Sequence, residues 1–317
     1  MRRFSIRMLP ALGTWAIWLL LAAQASTARA GDAAPAEVLE FGEFALFLPA
    51  EVRTLRGLLL PLGGPDTRAF VTDGAYGAPI PELEAALHAY GQSLRALAVE
   101  QGLAILGTRL SGEDGLPNTP ATDGTLFGAI EEAAELSGHP ELRTVPLLVY
   151  GISGGTPQAI GFVARHPERA AALLLKVPAP PQRLDNAAAL AVPTYLLLAE
   201  QETFADNREV TAVFESNRRA GGLWALATEP GVPHHSLTAA HRSISVDWLR
   251  AVAGLRLAAA VGESLRTIPE ASGWLGHPDI GVADWASYAG ERDKASWFPS
   301  RRTAEEWWQF VQGTPTR

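Results

Sequence analysis

Short apolar runs and amphipathic stretches alternate along most of this chain. Phe41 to Leu48 alternates apolar and other residues and predicts an early strand, and the runs Arg56–Pro61 and Leu103–Gly107 predict two more. Between them Leu83, Ala86, Leu87, Tyr90, Leu94, Leu97 and Ala98 recur at three- and four-residue steps, which predicts a helix over 81–101. Pro81 suits its first turn, where no N–H partner is lost. A second helix is expected over 122–137, with Asp123 as N-cap and Gly138 as stop. Then follow strand 146–151, helix 155–166, strands 171–177 and 193–199, helix 207–220, strand 223–228 and helix 237–253. Strands that are apolar on both faces, set between amphipathic helices, imply a mostly parallel sheet covered on both sides, an α/β architecture. No internal repeat or low-complexity linker interrupts it, so one catalytic-sized domain is expected, and after about residue 254 the rhythm is lost.

The N-terminus changes the expected compartment. Arg2, Arg3 and Arg7 precede an apolar stretch from Met8 to Ala25, and Ala28-Arg29-Ala30 offers a small-residue cleavage site. That pattern predicts a signal peptide over 1–30, with export to the periplasm or medium. Pro10 and Gly13 shorten the apolar helix below a comfortable membrane span, so no stable membrane insertion is expected after cleavage. Cleavage removes four arginines (2, 3, 7 and 29) and no acids, taking the formal net charge from -8 to -12. Such an acidic chain is poorly suited to nucleic acid or anionic membrane surfaces. With no cysteine anywhere, disulfides, thiolate metal sites and a cysteine nucleophile are excluded.

The chemistry centres on Gly151-Ile152-Ser153-Gly154-Gly155, a G-x-S-x-G pentapeptide between an apolar run and a helix-compatible segment. This is the layout of a nucleophile elbow, a sharp strand-to-helix turn that lifts a serine hydroxyl above the sheet. The turn is tight, which accounts for the glycines, and the following helix adds a positive dipole end. Such a serine needs a base, and the base needs an acid to hold its tautomer. Strand 193–199 runs into Glu200-Gln201-Glu202-Thr203-Phe204-Ala205-Asp206, and strand 223–228 into Glu229-Pro230-Gly231-Val232-Pro233-His234-His235. Serine, acid and histidine thus occur in that chain order, each on a loop after a strand.

On these residues the stretch 41–253 resembles an α/β-hydrolase of the esterase/lipase superfamily. Gly151-Ile152-Ser153-Gly154-Gly155 matches the elbow, Ala199-Glu200-Gln201-Glu202 the acid turn and Gly231-Val232-Pro233-His234 the histidine turn. The resemblance implies Ser153 as nucleophile, His234 as general base and Glu202 as orienting acid. Asp206 or Glu200 remains a rival for the acid, since relatives more often carry Asp, and the adjacent His235 is a rival base. The oxyanion hole would use the N–H of Gly154 and one from Leu62-Gly63-Gly64, where many relatives have a His-Gly-Gly sequence. The implied domains are a signal peptide over 1–30, an α/β-hydrolase catalytic domain over 31–253 and a Trp-rich C-terminal segment over 254–317.

The remaining features narrow the expectation a little. His88, His139, His166 and His241 are expected to be surface or capping residues, and no close ligand spacing calls for a metal. The chemistry needs no cofactor. About fifteen residues between Val177 and Pro193 leave no room for a helical lid, so cover would have to come from Pro65–Pro79, Ser111–Asp123 or the tail. Trp274, Trp285, Trp297, Trp307 and Trp308 in the tail are expected to pack it onto the body, with Glu305–Phe310 as a short helix. The expected function is a secreted serine hydrolase acting on a small-molecule or carbohydrate-linked carboxylic ester. The alternatives are a peptidase or amidase of the same fold, and a non-catalytic glycan- or cell-wall-binding relative.

Overall fold

In the computed structural model, β5 (Leu147–Ile152) and β6 (Ala170–Lys176) are buried along their full length, side by side inside an eight-stranded sheet. The structure describes residues 36–50, 52–63, 66–72, 81–110, 117–179, 181, 183–258 and 262–313. The expected signal segment 1–30, Gly64 and most of the loop Pro65–Pro79 lie outside the described residues. The chain from Ala36 onward is one compact unit.

The sheet order is β1-β2-β4-β3-β5-β6-β7-β8. Its other strands are β1 (Glu37–Phe41), β2 (Phe44–Leu48), β3 (Gly57–Gly63), β4 (Leu103–Thr108), β7 (Thr194–Gln201) and β8 (Trp224–Pro233). β1 and β2 are antiparallel, β2 runs antiparallel to β4, and every later neighbour pair is parallel. The single early strand expected over Phe41–Leu48 is in fact a hairpin. Gly42, at φ +50, takes the left-handed conformation that turns the chain between Phe41 and Phe44.

Helices cover both faces, as the apolar strands require. On one side lie α1 (Pro81–Gln101) and α6 (Ala239–Arg256), which share a core with Tyr150, Leu174, Tyr195 and Ala225. On the other lie α2 (Pro120–Ser137), α3 (Thr156–Arg165) and α5 (Asn207–Arg219), around Val149, Leu173, Leu196 and Trp224. Between β6 and β7 the described residues hold one four-residue helix, α4 (Ala187–Leu190). Among the described residues no helix is long and apolar enough to cross a membrane.

Asp123 corrects one expectation. Thr119 caps α2, accepting from the Thr122 N–H, and Pro120 opens the helix. Asp123 instead turns inward and is 2% exposed. It accepts from Gln158 Nε2 at 2.6 Å, from Arg165 Nε at 2.5 Å, and faces His166 Nε2 at 3.0 Å. Burial pushes its pKa up, but the bonds from Arg165 and Gln158 outweigh burial and leave it low. This carboxylate therefore fastens α2 to α3, the helix that leaves the G-x-S-x-G turn.

The tail forms a second, three-stranded antiparallel sheet in the order β10-β9-β11: β9 (Trp274–His277), β10 (Gly281–Asp284) and β11 (Ser296–Phe298). It ends in α7 (Arg301–Val311), longer than the segment expected, with Ser300 and Thr303 forming a capping box. Phe298, Trp307 and Phe310 join the core of β7 and α6. Burying one indole of Trp307 size contributes about 4–6 kcal/mol of gross apolar transfer. Trp307 Nε1 donates to the Leu226 carbonyl at 2.7 Å, and Ser296 Oγ accepts from the Leu226 N–H at 3.0 Å. Arg218, buried in α5, donates to the carbonyls of Ala295 and Arg292 and pairs with Glu270 at 2.9 Å.

Candidate active site

Three strand ends converge on one spot. β5 runs into Ser153, whose φ of +48 is unusual for a residue with a side chain. Such strain is what a turn from strand directly into helix demands. The glycines on either side answer to contacts that can be measured. A Cβ on Gly151 would meet Ala159 Cβ at 2.7 Å and Leu175 Cδ2 at 2.9 Å, so its absence lets α3 lie close against β5 and β6. A Cβ on Gly155 would stand 2.2 Å from the Leu62 carbonyl oxygen and 2.6 Å from the Gly63 N. The end of β3 therefore passes directly against the turn. Gly154, the residue after the serine, sits in that turn.

Ser153 Oγ lies 2.7 Å from His234 Nε2, and His234 Nδ1 lies 2.6 Å from Glu202 Oε2. The second contact makes Nδ1–H the donor, which leaves Nε2 free to accept from the serine hydroxyl. Glu202 extends from the turn after β7 with its side chain 2% exposed. Its other oxygen, Oε1, accepts from the backbone N–H groups of Thr203 at 2.8 Å and Phe204 at 2.7 Å. Burial raises the Glu202 pKa, but the Phe204 N–H, His234 and the Thr203 N–H together bring it below the usual carboxylate value. It stands ionised beside the imidazole. Burial lowers the His234 pKa, and the Lys176 charge and the neighbouring His235 act in the same direction. The bond and charge of Glu202 oppose them without cancelling them. The imidazole is thus held neutral, the form that accepts a proton.

The other residues singled out from the sequence fall elsewhere. Asp206 caps α5, accepting from the Arg208 N–H at 2.9 Å and pairing with the Arg208 guanidinium. Glu200 accepts from the Gly231 N–H at 2.7 Å. His235 is exposed, its ring 4.9 Å from that of His234. Gly63 ends β3 at the turn, while Gly64 lies outside the described residues. His241 departs from the surface role expected of it. It is 2% exposed, its Nε2 has no hydrogen-bond partner among the described residues, and burial, with the Lys176 charge, drives its pKa well down.

Lys176 was not anticipated. It ends β6, is 3% exposed, and donates from Nζ to the His234 carbonyl at 3.0 Å. Burial lowers its pKa to about 8, against the opposing charges of Glu229 and Glu202. Glu229, buried on β8, accepts from Thr238 Oγ1, and burial raises its pKa despite that bond and the Lys176 charge. The signal lay in the sequence: one lysine closing an otherwise apolar run from Ala170 to Leu175. Val177 follows it at φ +42, so two adjacent strands each end at a side-chain-bearing residue in the left-handed region.

The strand order, the antiparallel second strand and the strand–turn–helix at Ser153 define an α/β-hydrolase fold. No family model matches the chain, and no curated protein matches it. Among solved structures, an esterase from Rhizomucor miehei is similar over 69% of this chain and 82% of its own, with 15% identity and a TM-score of 0.45. A carboxylesterase from Mesorhizobium loti is similar over 68% of this chain and 98% of its own, at 18% identity and a TM-score of 0.44. An S-formylglutathione hydrolase from Agrobacterium tumefaciens covers 69% and 94%, at 14% identity and a TM-score of 0.45. Likeness at this distance says nothing of this chain's substrate.

Proposed function

We propose that the protein is a serine hydrolase that cleaves carboxylic esters through an acyl-enzyme on Ser153. The observation that carries this reading is the continuous chain from Ser153 Oγ through His234 to Glu202, at 2.7 and 2.6 Å. Ser153 attacks the ester carbonyl as His234 Nε2 takes its proton, and the ionised Glu202 stabilises the imidazolium that forms. The N–H of Gly154, with one from Gly63 or Gly64, receives the developing oxyanion. His234 returns the proton to the departing alcohol, and water then repeats the sequence to release the acid. The proposal extends to export through cleavage near Ala30, with the mature protein working in the periplasm or medium on a small or carbohydrate-linked ester.

The test is hydrolysis of p-nitrophenyl esters from acetyl to decanoyl by protein beginning at Gly31, with Ser153→Ala alongside. Activity that falls by about three or more orders of magnitude in the variant supports the reading. Equal activity in both proteins, or none in the parent, removes it. Peptide substrates and glycan binding would then come first.

A further inference from the structure

Phe204 is 71% exposed, yet it is held by the same carboxylate that orients the imidazole. Its backbone N–H donates to Glu202 Oε1 at 2.7 Å while Oε2 faces His234. Its ring centroid stands 4.7 Å from that of His234 and 5.5 Å from that of His235. A single exposed apolar side chain is ordinary on a protein surface. The position of this one is what matters.

In acyl transfer the imidazole that deprotonates the serine must also reach the leaving oxygen to protonate it. The leaving alcohol therefore departs on the imidazole side of the reacting carbon, and a ring standing 4.7 Å from the imidazole is within reach of a group carried by that oxygen. Phe204 presents that ring tilted 55° to the imidazole plane and open to solvent. Its backbone is held by the Glu202 bond, so the turn that carries the ring is already ordered when a ligand arrives.

We infer that Phe204 is the contact for the alcohol portion of the substrate and selects esters whose alcohol presents a flat aromatic face. This rests on the ester-hydrolase reading above. A ring stacked or edge-on to Phe204 gains an aromatic pair that a short aliphatic alcohol cannot make.

The experiment compares kcat/KM for benzyl acetate and ethyl acetate, which share an acyl group, in the parent, Phe204→Ala and Phe204→Leu. The expected result is a benzyl-to-ethyl ratio that falls about threefold to tenfold in Phe204→Ala and also falls in Phe204→Leu, which keeps apolar bulk without the flat face. Should the alanine variant fold poorly, the leucine variant reads the same ratio. An unchanged ratio in both variants overturns the inference, as does an equal loss on both esters, which would make the ring a prop for His234. A parent active through Ser153 with an unchanged ratio defeats this inference alone. A parent active on neither of these nor on any of the p-nitrophenyl esters defeats the ester reading, and this inference with it.

Discussion

The ammonium of Lys176 donates to the backbone carbonyl of His234 across 3.0 Å, so the last residue of β6 grips the loop that presents the imidazole. Few lysines are buried without strong partners, and this one lies between Glu229, Glu202 and two histidines whose proton affinity its charge lowers.

Replacing Lys176 by Met should therefore act on two readouts. The groups that bear on His234 are Glu202, Lys176 and His235, and removing the lysine deletes a cation that disfavours a protonated imidazole. The acid limb of the kcat/KM profile should move to higher pH. Loss of the hydrogen bond to the loop should lower kcat about fivefold. A pH–rate series on the variant checks both, and a fall in kcat with an unmoved acid limb would leave the lysine only a packing role.

Glu202→Gln keeps the shape of the side chain but removes the charge that holds Nδ1–H toward it. We expect kcat to fall by about two to four orders of magnitude. Asp206→Asn should change kcat by no more than about threefold, because that carboxylate caps α5 and pairs with Arg208. Steady-state kinetics on the two variants separates the acid that faces the imidazole from its neighbour on the same turn.

Acid should destabilise the fold through His241. Its folded pKa is well below the ordinary imidazole value of 6.5, chiefly through burial. As pH falls below 6.5 the unfolded chain takes up a proton that the folded state refuses, so stability is lost from there down toward the folded value. His234 acts in the same direction. Urea unfolding at pH 8 and pH 5 should show a smaller loss in His241→Leu than in the parent. An identical loss would place the acid sensitivity elsewhere.

Glycine substitutions should divide by what surrounds them. Gly155→Ala would set a Cβ 2.2 Å from the Leu62 carbonyl, backbone that cannot step aside cheaply, and should cost about 1–3 kcal/mol together with most of the activity. Gly124 lies on the exposed side of α2 with no atom of the described residues within 4 Å of a Cβ, so Gly124→Ala should stabilise by about 0.5–1 kcal/mol. Thermal unfolding of the pair checks the contrast.

The central strands were legible because parallel strands covered on both faces read as plain apolar runs, and the chain order of Ser153, Glu202 and His234 was legible because each follows such a run. What was missed has local causes. Phe41 and Phe44 on either side of Gly42-Glu43 read as steps of one alternating strand, which hid the hairpin between β1 and β2. Asp123 is a good capping residue type, but Thr119-Pro120 began α2 a turn earlier and left it inside, facing Arg165. His241 lies near the start of α6, where solvent exposure is the usual outcome, and only packing against Tyr90 and its neighbours buries it. The strands of the tail span three or four residues each, too few for a period to show. Phe204 gave no signal at all, since exposure beside a particular imidazole is a property of assembled loops.

β8 is the last strand of the large sheet, and at Leu226 both of its outward backbone groups are taken by side chains of the tail, Ser296 and Trp307. A side chain satisfies such groups without offering a fresh row of its own, so pairing stops there rather than passing outward. The C-terminal segment thus works as a guard against self-templating. A chain cut before Ser296 would hold an open ladder toward every other copy, and its first failure would be seen in the pellet, before any assay of turnover.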